Sequence, residues 1–221
     1  MSKIIAFSGG CFSGKTTTIN EVKAYLEDAG YKVVVLGELI RTATSKPIDV
    51  IRKDPTAYLR LQEKIIRSKI EQENKALEDN SNTIYLADRA ITDSLFYLQN
   101  YVDKSGLSYE DMVAYCKLHK EVIEHANKVF GIKEPKYFVV LEFSPIDGAS
   151  YDLFRPKHID YSKEYEHDAI CVLNNSFATR LLGDILTTPI IRVDLNKDSV
   201  KELSCTLKYK IEHKQGNQRY L

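Results

Sequence analysis

The feature that most limits the folds open to this chain is a glycine turn set between two apolar segments near its start. Residues 8–17 read Ser8-Gly9-Gly10-Cys11-Phe12-Ser13-Gly14-Lys15-Thr16-Thr17, which matches the spacing G-x-x-x-x-G-K-[ST] with Gly9, Gly14, Lys15 and Thr16 in the fixed places. Lys3 to Phe7 is a short apolar run that predicts a strand. Thr16 to Ala29 predicts an amphipathic helix with Ile19, Val22 and Leu26 on one face. A strand feeding a glycine loop that opens a helix aims that helix's unsatisfied N–H groups at an anion. Each residue type has a task there. Glycines let successive N–H groups turn inward, lysine supplies a point charge for outer phosphates, and the threonine hydroxyl can ligate Mg²⁺. The loop from Gly9 to Thr17, with Gly10, Cys11, Phe12 and Ser13 inside it, is therefore read as a cradle for the phosphates of a nucleotide. The plain alternative is a glycine-rich turn that merely contains Lys-Thr, and the flanking strand and helix weigh against it.

The pattern continues as strand-helix alternation. Ala29-Gly30 stops the first helix, and Lys32 to Leu36 is apolar on both faces, as a buried parallel strand is. The crossover between the two strands is expected to be right-handed, with ligands bound beyond the carboxyl ends of the strands. Glu38 and Arg41 fall just past that edge, as an exposed loop pair of little energetic weight or as a catalytic or substrate-binding pair. Thr42 to Lys53 reads as a loop or short helical piece. Asp54-Pro55 then opens a long helix to about Asp79, with Asp54 as N-cap and Pro55 in the first turn. Tyr58, Leu61, Ile65, Ile66 and Ile70 form its apolar stripe. Gln62 lies on nearly the same face, either as a hydrated edge residue or as an amide offered to a nucleobase.

Thr83 to Ala87 predicts the third strand and runs into Asp88-Arg89. At a strand end facing the glycine loop, the carboxylate can hold Mg²⁺ or its waters and the guanidinium can take a phosphate or sugar oxygen. Capping of the next helix is the structural alternative. Tyr109 to Lys128 predicts a helix with Met112, Val113, Cys116, Val122 and Ile123 as its apolar members. Tyr137 to Phe143 and Pro189 to Leu195 predict two more strands, with a loop from Ser144 to Ser162, a helix from Ser162 to Leu186 and a last helix from Asp198 to His213.

Lys+Arg and Asp+Glu balance at 31 each in 221 residues, so the chain lacks the broad positive field that draws in duplex nucleic acid, though a local basic groove is compatible with it. A hydrophobic share of 43% and a charged share of 28% are those of an ordinary soluble globular chain, most simply one domain spanning residues 1–221. The first strand begins at once and no apolar run could cross a bilayer, so the expected location is cytoplasmic, with no membrane partner. Cys11, Cys116, Cys171 and Cys205 are far apart, which excludes the usual zinc spacing and argues against a disulfide framework. The five histidines show no ligand spacing and read as surface or capping residues.

With these residues in view, the chain resembles the P-loop nucleoside and nucleotide kinases, the group that includes deoxynucleoside, thymidylate and nicotinamide riboside kinases. The motif from Gly9 to Thr16, the Glu38/Arg41 pair, and Asp88-Arg89 followed by Asp93 and Tyr97 carry the likeness. Two departures stand out: Ala90 replaces the aromatic of the thymidylate kinase pattern, and Asp88 replaces the glutamate usual in deoxynucleoside kinases. The resemblance implies an α/β three-layer sandwich with a five-stranded parallel sheet of order 2-3-1-4-5. It further implies ATP and Mg²⁺ as cofactors and a small-molecule nucleoside or nucleotide acceptor. Lys15 and the loop would hold the donor phosphates, and Thr16 and Asp88 the metal. Glu38 would engage the acceptor, with Arg41, Gln62, Arg89 and Asp93 lining its cleft. Related kinases carry a lid near residues 144–162, where Arg155 would face the transferred group. A base or sugar within polynucleotide, or a nucleotide-dependent switch, is the alternative reading, and the sequence is compatible with a homodimer without specifying the oligomeric state.

Overall fold

The computed structural model describes residues 3–9, 13–37, 43–44, 48–130, 137–144 and 188–213. Strands β1 (Lys3–Ser8), β2 (Val33–Leu36), β3 (Ile84–Asp88), β4 (Tyr137–Phe143) and β5 (Ile190–Val193) form a parallel sheet in the order β2-β3-β1-β4-β5. The helices between and after them are α1 (Lys15–Asp28), α2 (Ile48–Arg52), α3 (Pro55–Glu78), α4 (Ile91–Tyr101), α5 (Tyr109–Phe130) and α6 (Val200–His213). This is the three-layer order that the resemblance implied.

The period-two alternation of a strand explains the layers. Along β1, Ile4 and Ala6 join the core shared with α3, α4 and α5, while Ile5 and Phe7 join the core shared with α1 and α6. Because helices cover both faces, no polar residue is needed within that run, and Ile4 to Phe7 are all buried. On α1, Ile19, Val22 and Leu26 point into the second core as their spacing predicts. Truncating the fully buried Leu26 to alanine would cost about 2–5 kcal/mol.

The helix ends also reflect the residues found there. Gly30 takes φ 87° just past the end of α1. Its N–H reaches Glu27 O at 2.9 Å and the Tyr31 N–H reaches Leu26 O at 3.0 Å, the paired bonds by which a glycine closes a helix. At the start of α3, Asp54 Oδ1 accepts from the Ala57 N–H at 3.0 Å with Pro55 next in the chain, a cap worth about 1 kcal/mol.

In two places the structure departs from simple periodicity, and both bear on the site. The α5 face is rotated from the one its apolar residues suggest. Val113, Cys116 and Ile123 are exposed, and Tyr115, Leu118, Val122, Ala126, Val129 and Phe130 are buried together with Asp111 and His125. The buried set keeps the three- and four-residue steps of a helix better than the expected one does. His125 is therefore a core residue and not the surface or capping histidine expected. Strand β4 also carries an irregularity. Ile4 pairs with Tyr137 but Ile5 pairs with Val139, so one residue is inserted between them. The insertion turns Tyr137 into the α3–α5 core while Phe138 and Val139 both face the other layer, and a bulge re-aims a side chain in this way.

Candidate nucleotide-phosphate site

Parallel register brings the sequence-distant motifs to one edge. Phe7 pairs with Asp88 and Ser8 with Glu142, so Ser8-Gly9, Asp88-Arg89 and the end of β4 meet at the carboxyl ends of their strands. Gly9 has φ 148°, and a Cβ there would lie 3.0 Å from Phe143 O, 3.1 Å from Phe143 Cβ and 3.1 Å from Ser13 Oγ. Only glycine lets the loop leave β1 so close to β4. Gly14, at φ 77°, precedes the first turn of α1, and Thr18 donates to its carbonyl from both the backbone N–H (2.9 Å) and Oγ1 (3.0 Å). Lys15 is buried against the loop with its Nζ donating to Ser13 Oγ at 3.1 Å, while Thr16 and Thr17 are exposed on the first turn.

Across the edge, Asp88 Oδ1 is buried and has no hydrogen-bond partner among the described residues. The N-cap of α4 is Ala90, which makes no side-chain cap bond, so Asp88 does not serve as the helix cap. Asp93 in the first turn of α4 is fully buried and accepts from Ser8 Oγ at 2.6 Å. Burial pushes its carboxyl up. The charge of Arg89, the Ser8 bond and the charges of Lys15 and Lys69 pull the other way.

Arg89 is the non-glycine residue with positive φ, 75°, among those described. The left-handed region costs an L residue about 1–3 kcal/mol and persists where surrounding contacts over-determine it. Here the Arg89 N–H donates to Phe7 O at 2.9 Å, its carbonyl accepts from Lys69 Nζ at 2.6 Å, and its Nη1 donates to Gly9 O at 3.0 Å. Its guanidinium carbon lies 4.9 Å from the centre of the Tyr97 ring, and Tyr97 stacks on Tyr101 at 5.5 Å. Arg52 sits over the Tyr101 ring at 4.2 Å. Cation-on-aromatic contacts thus run from the phosphate loop along α4 to α2. The expected Asp-Arg-x-x-x-Asp-x-x-x-Tyr set is brought together, though Asp93 faces inward to Ser8.

A second polar group, which no sequence motif marks, lies behind Arg89. Lys69 Nζ is 3.1 Å from Glu73 Oε1, and Glu73 also accepts from His125 Nε2 at 2.8 Å and from Tyr137 OH at 2.8 Å. Tyr137 OH in turn accepts from the Ile91 N–H at 3.1 Å. Desolvation would raise the Glu73 carboxyl, but the Lys69 charge and the His125 and Tyr137 bonds prevail and hold it below the ordinary glutamate range. The Tyr137 phenol is pushed far up by burial and by Glu73.

Gln62 on α3 is only 4% exposed, so it is not a hydrated edge residue. Gly10, Cys11 and Phe12 of the loop, the Glu38 and Arg41 pair, residues 145–162 of the expected lid with Arg155, and the expected helix at 162–186 lie outside the described residues. Among the described residues no group of three His, Cys, Asp or Glu could hold a metal ion, and no helix is long and apolar enough to cross a membrane.

The likeness to known proteins runs along the same lines. Solved structures that share the fold include two of NadR proteins. One is a NadR protein in complex with NAD and AMP-PNP, 15% identical with a TM-score of 0.59, of which this chain covers 52% while 99% of this chain is covered. The other is a NadR protein in complex with NR, 14% identical with a TM-score of 0.62, at 54% and 99% coverage. The chain thus spans about half the length of those NadR chains. No curated protein matches it in sequence. The sequence profile of the AAA domain family matches residues 4–137, which is most of the chain and includes the glycine loop and the Asp88-Arg89 edge. The chain belongs to that family of P-loop NTPases, and its fold is that of the P-loop kinases.

Proposed function

We propose that the protein is an ATP-dependent phosphotransferase that moves a γ-phosphoryl group to a nucleoside or nucleoside monophosphate. One observation carries the reading: the loop lysine and the Arg89 guanidinium bond to the Gly9 loop at the sheet edge where β3 ends in Asp88, whose buried oxygen has no partner among the described residues. Transfer of a phosphoryl group asks a protein mainly for positioning and charge neutralisation. Lys15 and Arg89 offer positive charge for the donor phosphates, and the N-terminus of α1 adds inward N–H groups. The NadR structures solved with AMP-PNP and with NR support a nucleotide donor and a small acceptor.

A divalent cation fits the residues present. Asp88 offers a buried carboxylate oxygen with no partner among the described residues, and Thr16 offers an exposed hydroxyl on the first turn of α1. Mg²⁺ held there would supply charge neutralisation on the phosphates. Glu38 and Arg41 are proposed to meet the acceptor and Arg155 the transferred group. Gln62 is proposed to stand at the acceptor side, while Asp93, fully buried and bonded to Ser8, would act from behind the cleft by holding the end of β1.

The test is a panel of nucleosides, nucleoside monophosphates and NR with ATP and Mg²⁺, read by ADP release and product mass. The expected result is ADP release that depends on one acceptor class and falls about 10²–10³-fold in Lys15→Ala. Near-normal turnover in Lys15→Ala would remove the loop from the reaction. The AAA match favours one second reading, a nucleotide-driven switch. Slow ADP release that no acceptor accelerates would support it over the kinase.

A further inference from the structure

We propose that Lys69 and Glu73 are positioning residues of the phosphate site, fixing the left-handed backbone of Arg89 and thereby aiming its guanidinium at the Gly9 carbonyl. The inference deepens the phosphate-site reading and rests on it for its functional meaning, but its geometric core stands apart from any bound nucleotide.

The contacts form one connected path. Lys69 Nζ donates to the Arg89 carbonyl at 2.6 Å, and Arg89 Nη1 donates to the Gly9 carbonyl at 3.0 Å. Lys69 is kept in place by Glu73 at 3.1 Å, one helical turn along α3. Glu73 is completely buried and is fixed from α5 by His125 and from β4 by Tyr137, each at 2.8 Å. Tyr137 closes the path by accepting the Ile91 N–H, a helix-start donor that no side-chain cap of α4 reaches. The group therefore grips the chain at residues 89 and 91, on both sides of the β3-to-α4 junction. The inserted residue in β4 is what delivers Tyr137 to it.

Packing alone does not account for four polar side chains in this place. A buried ion pair is often no more stabilising than apolar residues of the same volume, so its retention points to a geometric task. The task visible here is the positive φ of Arg89, a conformation that an arginine does not adopt without being held. Lys69 supplies the hold on the carbonyl side, where Phe7 supplies it on the N–H side at 2.9 Å.

The test uses Lys69→Met in the full chain, alone and combined with Arg89→Ala. In the nucleotide-free protein, the backbone coupling constant of Arg89 measured by NMR, or a crystal structure, should show Arg89 leaving positive φ and releasing Gly9. An unchanged Arg89 backbone with its Gly9 contact intact would overturn the inference, whatever the protein binds. With a fluorescent ATP analogue and Mg²⁺, Lys69→Met should weaken binding about tenfold in the native background and less than twofold beside Arg89→Ala. An equal loss in both backgrounds would make Lys69 merely structural and would also overturn it. Should Lys69→Met fail to fold, Glu73→Gln carries the same pair of measurements, since it removes the negative charge that holds Lys69 while leaving an amide within reach of His125 and Tyr137. If the native protein binds no nucleotide, the phosphate-site reading falls, and the Arg89 backbone measurement still decides the positioning claim.

Discussion

Gly9→Ala separates the physical terms that shape the phosphate loop, and its cost can be worked from the structure. Two penalties act there. Its φ of 148° lies in a region that L residues rarely adopt, a strain of about 1–3 kcal/mol. The new Cβ would stand 3.0 Å from the Phe143 carbonyl oxygen. That oxygen belongs to a strand pinned between β1 and β5, with the next residue's N–H bonded to Val193 O at 2.9 Å, so it cannot give way as a flexible side chain would. Overpacking of this kind costs about 1–3 kcal/mol, and alanine recovers only about 0.4–1 kcal/mol by stiffening the unfolded chain. The net loss is about 3 kcal/mol, which for a chain of this length lowers the melting midpoint by about 10 °C. Two other glycines serve as internal controls. Gly30 has φ 87° and open space around its missing Cβ, so Gly30→Ala isolates the backbone strain. Gly106 has an ordinary φ but its Cβ would fall 2.7 Å from Pro55 Cγ, so Gly106→Ala isolates the crowding. Thermal unfolding of the three variants should rank Gly9→Ala as the most destabilised. If Gly9→Ala lost no more than Gly30→Ala, the contact with β4 would carry no energy and the account of the loop would be wrong.

Asp88→Asn should raise the melting midpoint of the nucleotide-free protein by about 2–4 °C, because a buried carboxylate oxygen without a partner costs about 1 kcal/mol or more, and it should also weaken Mg²⁺-dependent nucleotide binding. A lower midpoint, read by the same thermal scan, would mean that Asp88 has a structural partner. The Tyr85 phenol donates to Asp79 Oδ2 at 2.7 Å and is pushed up to about 12 by burial first and then by Asp79. A raised folded value means its stabilisation is whole below the unfolded value of about 10 and disappears as pH rises toward about 12, so Tyr85→Phe should flatten the loss of stability across that window. Denaturant midpoints that fall equally for both proteins between those pH values would refute this.

The periodic features of this fold are open to reading, because they depend on the chain's own spacing. A strand apolar at every position needs cover on both faces, which is why Ile4 to Phe7 and Val33 to Leu36 announce a parallel sheet between helices. Asp54-Pro55 and Ala29-Gly30 announce helix ends, since the cap and the left-handed closing residue are local chemistry. The glycine loop and Asp88-Arg89 are legible for a further reason. Parallel register fixes that the ends of β1 and β3 lie side by side, so two motifs eighty residues apart must meet once the sheet forms.

The face of α5 and the phosphate-site support are harder to read, because each depends on a neighbour that spacing does not name. Apolar residue types alone lead on α5 to Met112, Val113, Cys116, Val122 and Ile123, of which Val122 is buried and Met112 packs on the core while the other three are exposed, and they pass over His125. The insertion in β4 is invisible for the same reason. Tyr137-Phe138-Val139 looks like any apolar strand, and only pairing with β1 shows that Tyr137 turns toward α3. Lys69 and Glu73, by contrast, leave a signal. Gln62, Ile66, Lys69, Glu73 and Ala76 repeat at helical spacing along one face of α3, and all of them are buried. A lysine and a glutamate one turn apart are a solvated pair on an exposed face, worth a few tenths of a kcal/mol. The same pair in register with Ile66 and Ala76 cannot be solvated, and must find its partners inside the protein. The carbonyl of Arg89 is one such partner, and the strained backbone there is the consequence.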